Sequence, residues 1–368
     1  MFEFVLNNTD GYARSGLIKT DHGEISTPVF MPVGTQGSIK ALSPQDLYDI
    51  GVQIILGNAY HLYLRPGTDI LEEVGGLHQF MQWGRPILTD SGGFQGFSLK
   101  HLRHITEDGI TFKSHIDGST HLLTPEKVIS IQGSIGSDIL MPLDVCVPPE
   151  SDYKDTLYAL KLTNRWMNRS VKSHIDMESA LFGIVQGGVF PELRKQSVEC
   201  VIDLDLPGYS IGGLSVGESK SELYDLTEMT AQLLPNHKPR YLMGVGSPED
   251  LVVAVSKGVD MFDCVLPTRV ARNGALFTRK GRVNITNNFY RTLDDTFDKT
   301  CKCYFCNNFT AAYLHHLFRC KEYLAYRLAS IHNLAFITSL MNDIRNSIEH
   351  KSFAQFSNSF LSQYKIAG

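Results

Sequence analysis

The sequence predicts a (β/α)8 barrel, the TIM-barrel architecture, with a small zinc-binding subdomain near its C-terminus. Three observations carry that expectation. Eight short apolar runs occur in order, separated by segments with helical spacing. Most of the runs are continuous rather than alternating, which suits parallel strands buried on both faces. A doubly wound sheet would carry a glycine-rich dinucleotide loop after its first strand, but Pro32-Val33-Gly34-Thr35 stands there instead. At 368 residues and 43% hydrophobic, the chain can bury one large core.

The runs are Val29–Val33, Val52–Leu56, Pro86–Thr89, Ile139–Leu143, Phe182–Gln186, Tyr209–Gly212, Tyr241–Gly244 and Val259–Asp263. Helix starts are legible between them. Ser43-Pro44, Thr124-Pro125-Glu126 and Ser247-Pro248-Glu249-Asp250 each place a hydroxyl cap before a proline, with acids in the first turn. Residues 219–234 form an amphipathic run that stops at Pro235. A further helical stretch is expected from about Thr310 to Ile348. The whole is read as a single catalytic domain over 1–368, including a zinc-binding subdomain at 295–350.

Charge is distributed unevenly. The chain sums to −5, which excludes a generally basic nucleic-acid coat. Yet residues 264–293 hold Arg269, Arg272, Arg279, Lys280, Arg282 and Arg291 and no acid, so the remainder carries −11. Such a local field, interleaved with asparagines and with Phe289 and Tyr290, suits phosphate and RNA. The N-terminus has no signal-peptide pattern, and no apolar run is long enough to span a bilayer, so a cytoplasmic protein without a membrane partner is expected.

Seven cysteines are an odd number, and four fall within twenty residues. Cys301-x-Cys303-x2-Cys306 offers three soft ligands, and His332 completes a Cys3His set typical of structural zinc. By spacing alone His315, His316 and Cys320 compete for the fourth position.

In a barrel, chemistry sits at the C-terminal ends of the strands. Asp90, Asp144, Gln186, Gly212-Gly213 and Asp263 close the third, fourth, fifth, sixth and eighth runs. A carboxylate accepts paired N–H bonds, an amide both donates and accepts, and glycines let main-chain N–H groups approach a carbonyl. A further carboxylate can attack an anomeric carbon while another moves a proton. The set therefore suits a polar heterocycle joined to a sugar. No Ser/His/Asp order and no phosphate-binding P-loop stands out.

These residues resemble the bacterial tRNA-guanine transglycosylases, or queuine tRNA-ribosyltransferases. The matching stretches are TDSGGFQ at 89–95, FGIVQGG at 182–188, IGGLSVGE at 211–218, YLMGVG at 241–246, DMFDCVLPTR at 260–269 and RNG at 272–274, with the cysteine set, AYLHHL and IHNL after them. The resemblance implies exchange of guanine at the tRNA wobble position for a 7-substituted 7-deazaguanine base, preQ1 or queuine, in queuosine formation. It implies Asp263 as nucleophile and Asp90 as general acid/base. Asp144 would accept N–H bonds from the base edge, Gln186 and the Gly213 backbone would hold the ring carbonyl, and Phe94 and Met243 would sandwich the ring. Leu214 and Glu218 would form the loop that reads the 7-substituent. Arg269 and Arg272 would hold nucleotides near the reaction site, Lys280 and Arg282 would join them on the RNA, and Cys301, Cys303, Cys306 and His332 would bind zinc. A homodimer is implied as well.

The sequence departs from the family pattern at Val145, where a glutamate is usual, at Gly96, where a bulkier apolar residue is common, and at Phe94, where some members carry tyrosine. Val145 and Gly96 suggest a wider or less polar pocket that tolerates the larger queuine substituent, whereas Val216 keeps the branched residue of preQ1 users. A noncatalytic tRNA-binding subunit would have no need of Asp263 and Asp90. A nucleoside hydrolase would have no need of the basic segment.

Overall fold

A computed structural model of the chain describes residues 2–93, 103–175 and 177–364. Among these, eight parallel strands form a closed ring. They are Val29–Gly34, Ile55–Asn58, Ile87–Asp90, Ile139–Leu140, Ala180–Leu181 continuing past Phe182 as Gly183–Val185, Tyr209–Ile211, Arg240–Leu242 and Met261–Cys264. The fifth strand closes the ring: its first half pairs with the fourth strand and its second half with the sixth. The eighth strand returns to the first, with Phe262 opposite Phe30 and Asp263 opposite Met31. The barrel expected from the eight apolar runs is thus present, and every run contributes to its own strand.

Two strands are set differently from the runs. Val52 lies in the turn that follows the preceding helix, where its N–H donates to the Leu47 carbonyl, so the second strand starts at Ile55. The fourth strand ends at Leu140 because the Met141 N–H goes to the Gln132 side chain rather than to a neighbouring strand.

The helices begin where the caps predict. Ser43 and Asp46 form a capping box on Pro44–Asp49, as Ser219 and Glu222 do on Lys220–Leu233. Thr124 caps Pro125–Ile135 and Ser247 caps Pro248–Ser256. The expected helix over 310–348 is two helices, Ala311–Arg319 and Tyr323–Glu349. They are separated by a turn in which Lys321 takes a left-handed φ of 56°.

Three small antiparallel sheets were not legible as periodic runs. Glu3–Asp10, Ala13–Thr20 and Gly23–Thr27 form the first. It lies at the end of the barrel where the strands begin. Arg14 there pairs with buried Asp260 through bonds of 3.0 and 2.8 Å, and Phe2 meets the Phe182 ring edge-on at 5.6 Å. That end is closed, which leaves the C-terminal ends of the strands as the open mouth. Arg103–Ile105, Ile110–Lys113 and Thr120–Leu123 form the second sheet, and a hairpin of Ala275–Thr278 and Gly281–Asn284 the third. The basic segment 264–293 is therefore an ordered helix, Leu266–Arg272, followed by this hairpin.

The 27-residue helix Tyr323–Glu349 binds the appendage to the barrel. Asn333 on it is fully buried and fully used: Oδ1 accepts from Phe277 N at 2.9 Å, and Nδ2 donates to Pro267 and Ala275 carbonyls at 3.0 Å each. Arg327 pairs with Asp46 at 2.6 Å, and Arg345 reaches the carbonyls of Ser26 and Pro28.

Candidate active site and metal centre

The strand ends open into a cavity of about 560 Å³. Its wall includes Asp90, Asp144, Gln186, Gly213, Leu214, Met243, Asp263 and Arg269, so eight residues singled out from the sequence meet at one place. The strand register explains why: each residue ends, or lies just beyond, a strand of the same closed ring.

Asp263 is held on one side only. Its Oδ1 accepts from the Tyr241 hydroxyl at 2.6 Å and from Gly244 N at 2.8 Å, while Oδ2 has no hydrogen bond among the described residues. Burial pushes this carboxyl up from its ordinary range, and the two bonds oppose that shift. Tyr241, fully buried, is raised well above the usual phenol range by burial and by Asp263, so it stays a donor. Asp90 accepts from the Asn58 amide at 2.6 Å and from Ala59 N at 3.0 Å. Asn58 also caps the helix Ala59–Leu64, so one amide ends the second strand, starts the helix and orients a carboxylate of the third strand.

Asp144 lies deeper. Gln186 Nε2 donates to it at 2.7 Å and Ser91 Oγ at 3.3 Å, yet burial wins and its pKa rises to about 6. Gln186 stands against Gly213, where a Cβ would come 2.3 Å from Oε1 at a φ of +65°. Only glycine allows both the turn and the amide. Arg194 then fixes this corner. It is fully buried, donates from Nε to the Gly188 carbonyl at 2.8 Å, and from one terminal nitrogen to Gly212 and Gly213 carbonyls at 3.1 and 3.3 Å.

Glu218 does not line the cavity. Its carboxylate accepts from the main-chain N–H groups of Ser215, Val216 and Gly217, so it shapes the loop after the sixth strand from behind. Val145 is buried in the hydrophobic core and is not part of the cavity wall. Phe94 and Gly96 lie outside the described residues. Arg272 is half-buried near Arg269, with one terminal nitrogen buried and unbonded among the described residues. Burial and the neighbouring Arg269 charge both lower its pKa, which an anion would offset. Lys280 and Arg282 are exposed on the hairpin.

Sequence reasoning did not single out Asn58, Tyr241 or Arg194. Tyr241 stood inside the YLMGVG stretch, and Asn58 carried a helix-cap signal. Arg194 in Pro-Glu-Leu-Arg-Lys has the look of a surface helix residue, and no sequence pattern marks it.

The metal centre resolves the competition for a fourth ligand. One donor atom each from Cys301, Cys303, Cys306 and His332 lies within 4.8 Å of the others. His332 Nδ1 is 3.4 Å from Cys306 Sγ and 3.8 Å from Cys303 Sγ. Tetrahedral zinc, with bonds of about 2.3 Å to sulfur and 2.0 Å to nitrogen, separates S and N by about 3.5 Å. His332 Nε2 lies 2.8 Å from the Phe277 carbonyl, which fixes the tautomer that presents Nδ1 inward. His315 instead bonds the Ile285 carbonyl at 2.9 Å, and His316 and Cys320 are exposed. The cluster can bind a metal ion.

A family model described as queuine tRNA-ribosyltransferase matches residues 9–366. The chain belongs to that family. A queuine tRNA-ribosyltransferase of Dehalococcoides mccartyi is 54% identical over 98% of this chain and 93% of its own length. One of Dictyoglomus turgidum is 54% identical over 99% and 95%, and one of Solidesulfovibrio magneticus 56% identical over 96% and 95%. Membership in the queuine tRNA-ribosyltransferase family makes the chain a transferase enzyme, and the cavity described above is the candidate place of its chemistry. Among the described residues no helix is long and apolar enough to cross a membrane.

Proposed function

We propose that the protein is a tRNA-guanine transglycosylase. It exchanges guanine at the wobble position of GUN anticodons (Asp, Asn, His and Tyr tRNAs) for preQ1 or queuine, as a cytoplasmic homodimer. The observation that carries the reading is the one-sided restraint of Asp263, a carboxylate gripped at Oδ1 and open at Oδ2 in a cavity that also holds Asp90 and Asp144.

Oδ2 of Asp263 attacks C1′ of the target guanosine, the C1′–N9 bond breaks, and its electron pair leaves with the guanine, which takes up a proton managed by Asp90. An aspartyl-ribose ester remains. The incoming 7-deazaguanine loses its N9 proton to Asp90 and attacks C1′, and the ester C–O bond breaks to restore the Asp263 carboxylate. Two inversions give retention. Tyr241 and Gly244 orient the nucleophile and spread its charge. Asp144 accepts the N–H edge of the ring, Gln186 and Gly213 N donate to its carbonyl, and Met243 covers one face, with Phe94 assigned to the other. Leu214, on the loop that Glu218 supports, meets the 7-substituent. Arg269 and Arg272 hold flanking phosphates, and Lys280 and Arg282 extend that contact. Zinc, held by Cys301, Cys303, Cys306 and His332, supplies a fixed crosslink rather than reaction chemistry.

Denaturing electrophoresis of enzyme mixed with tRNA tests the assignment. Wild type should give a covalent protein–RNA band that disappears on addition of excess base. A D263N variant that still traps tRNA covalently defeats it.

A further inference from the structure

One wall of the cavity rests on a buried cation. Arg194, on the helix Pro191–Ile202, is fully buried. Every hydrogen bond it makes among the described residues goes to a main-chain carbonyl: Nε to Gly188 at 2.8 Å, and one terminal nitrogen to Gly212 and Gly213 at 3.1 and 3.3 Å. Its other terminal nitrogen is buried without a partner among the described residues. Burial holds its pKa down to about 10, so the guanidinium is still charged at neutral pH. Burying a cation against carbonyls alone is costly, and an apolar side chain of similar length would fill the space more cheaply. Support of a turn does not by itself call for the charge.

The two carbonyls of the sixth-strand loop lead to the cavity. The peptide unit whose oxygen belongs to Gly212 carries its N–H on Gly213, and the unit whose oxygen belongs to Gly213 carries its N–H on Leu214. Gly213 and Leu214 line the cavity, and neither N–H makes a hydrogen bond among the described residues. The N–H groups that follow, on Ser215, Val216 and Gly217, are taken by Glu218. The donors left for a ligand are thus the two whose peptide units face Arg194. A carbonyl that accepts a hydrogen bond from a cation makes the N–H at the other end of its peptide unit a stronger donor. A fixed donor of that kind acts most strongly on an acceptor that gains negative charge. In base exchange that acceptor is the ring carbonyl, which shares the electron pair left on guanine when the C1′–N9 bond breaks.

We propose that Arg194 is a positioning residue for the departing base. Through the Gly212 and Gly213 carbonyls it aims and polarises the N–H groups of Gly213 and Leu214, and so favours a base whose ring carbonyl can take up charge. The inference rests on the transglycosylase reading and extends it to a residue that touches no substrate.

The test compares guanine with 6-thioguanine, which keeps the N–H edge assigned to Asp144 and replaces the carbonyl oxygen with a weaker acceptor. Binding of each base to the full-length enzyme is measured by calorimetry, beside the single-turnover rate of covalent band formation with tRNA. Wild type should bind guanine about tenfold more tightly than 6-thioguanine. R194M should weaken guanine about tenfold, leave 6-thioguanine within about twofold, and slow the covalent band about 10- to 100-fold. A purely structural loss would weaken both bases together and keep their ratio. R194K keeps the cation, but its single nitrogen cannot stand at the Gly188 carbonyl and at the Gly212–Gly213 pair at once. Its ratio should fall between the other two, and it decides the matter if R194M does not fold. Equal binding of the two bases by wild type, or a wild-type ratio in either folded variant, overturns the inference alone. A wild type that neither binds guanine nor forms the covalent band defeats the functional reading, and this inference with it.

Discussion

The candidate catalytic cavity and the Cys3His cluster both gather titratable side chains and treat them in opposite ways. At the metal centre every donor converges on one point, and the outer nitrogen of His332 lies against the Phe277 carbonyl. In and beside the cavity satisfaction is partial: Asp263 uses one oxygen and leaves the other unbonded among the described residues, and next to the cavity-lining Arg269 a nitrogen of Arg272 is buried without a partner among the described residues. Complete satisfaction gives rigidity; partial satisfaction leaves free energy to be recovered by a substrate. The contrast makes a general expectation. Changes in the cavity should move rates and leave melting alone, and changes at the metal centre should do the reverse.

D263N tests the cavity side most severely. Transfer should fall on the order of 10^4-fold or more, with no covalent band, while the melting temperature stays within about 1 °C. C306S tests the other side. With one ligand gone the metal should be lost, and even about 4 kcal/mol of lost stability lowers the melting temperature by roughly 5–10 °C in calorimetry. An unchanged melting curve would break the comparison.

Y241F sharpens it. Removing one of the two bonds on Oδ1 should cost about 1.5–3 kcal/mol in kcat, roughly 10- to 100-fold, with KM for tRNA unchanged and the covalent band still formed. The pH dependence of base binding follows from Asp144. Its carboxyl titrates at about 6 in the empty pocket, and the N–H edge of a base needs the ionised form. Binding therefore releases a proton below pH 6, and the base KM should rise about tenfold per pH unit there while staying flat above pH 7. Titration of KM between pH 5 and 8 measures this, and a flat profile would remove Asp144 from the base edge. R282A should act least. It should weaken tRNA affinity only about two- to fivefold and lower the slope of log affinity against log salt by about 1, with base KM untouched.

What could be read in advance depended on where the information sits in the chain. Buried parallel strands announce themselves as continuous apolar runs, so Ile87–Asp90 and Gly183–Val185 were visible within a few residues. The caps at Ser43, Thr124, Ser219 and Ser247 are local hydrogen-bond chemistry and were equally visible. Cys301, Cys303 and Cys306 share one short segment. The N-terminal sheet was not visible, because Glu3–Asp10 alternates between exposed and half-buried positions and carries Asn7-Asn8-Thr9-Asp10 where a strand would show apolar residues. The supports of the cavity were missed for a different reason. Asn58 and Asp90 are 32 residues apart, Tyr241 and Asp263 are 22 apart, and Arg194 earns its role only through carbonyls brought to it by two loops. Val145 is buried between Asp144 and Cys146, which line the cavity, and does not itself reach it.

The helix Tyr323–Glu349 touches Asp46 through Arg327, Pro267 through Asn333 and the entry to the first strand through Arg345. All eight strands and both candidate catalytic aspartates precede it in the chain. A polypeptide emerging from the ribosome thus possesses its candidate reactive groups well before it possesses the brace behind them. The positions of Arg269 and Arg272, on the helix whose Pro267 carbonyl Asn333 holds, become fixed only after residue 333 has been made and His332 beside it has found its place. A fragment that ends before this helix contains both candidate catalytic aspartates and lacks the contacts that hold Pro267 and Asp46 in place.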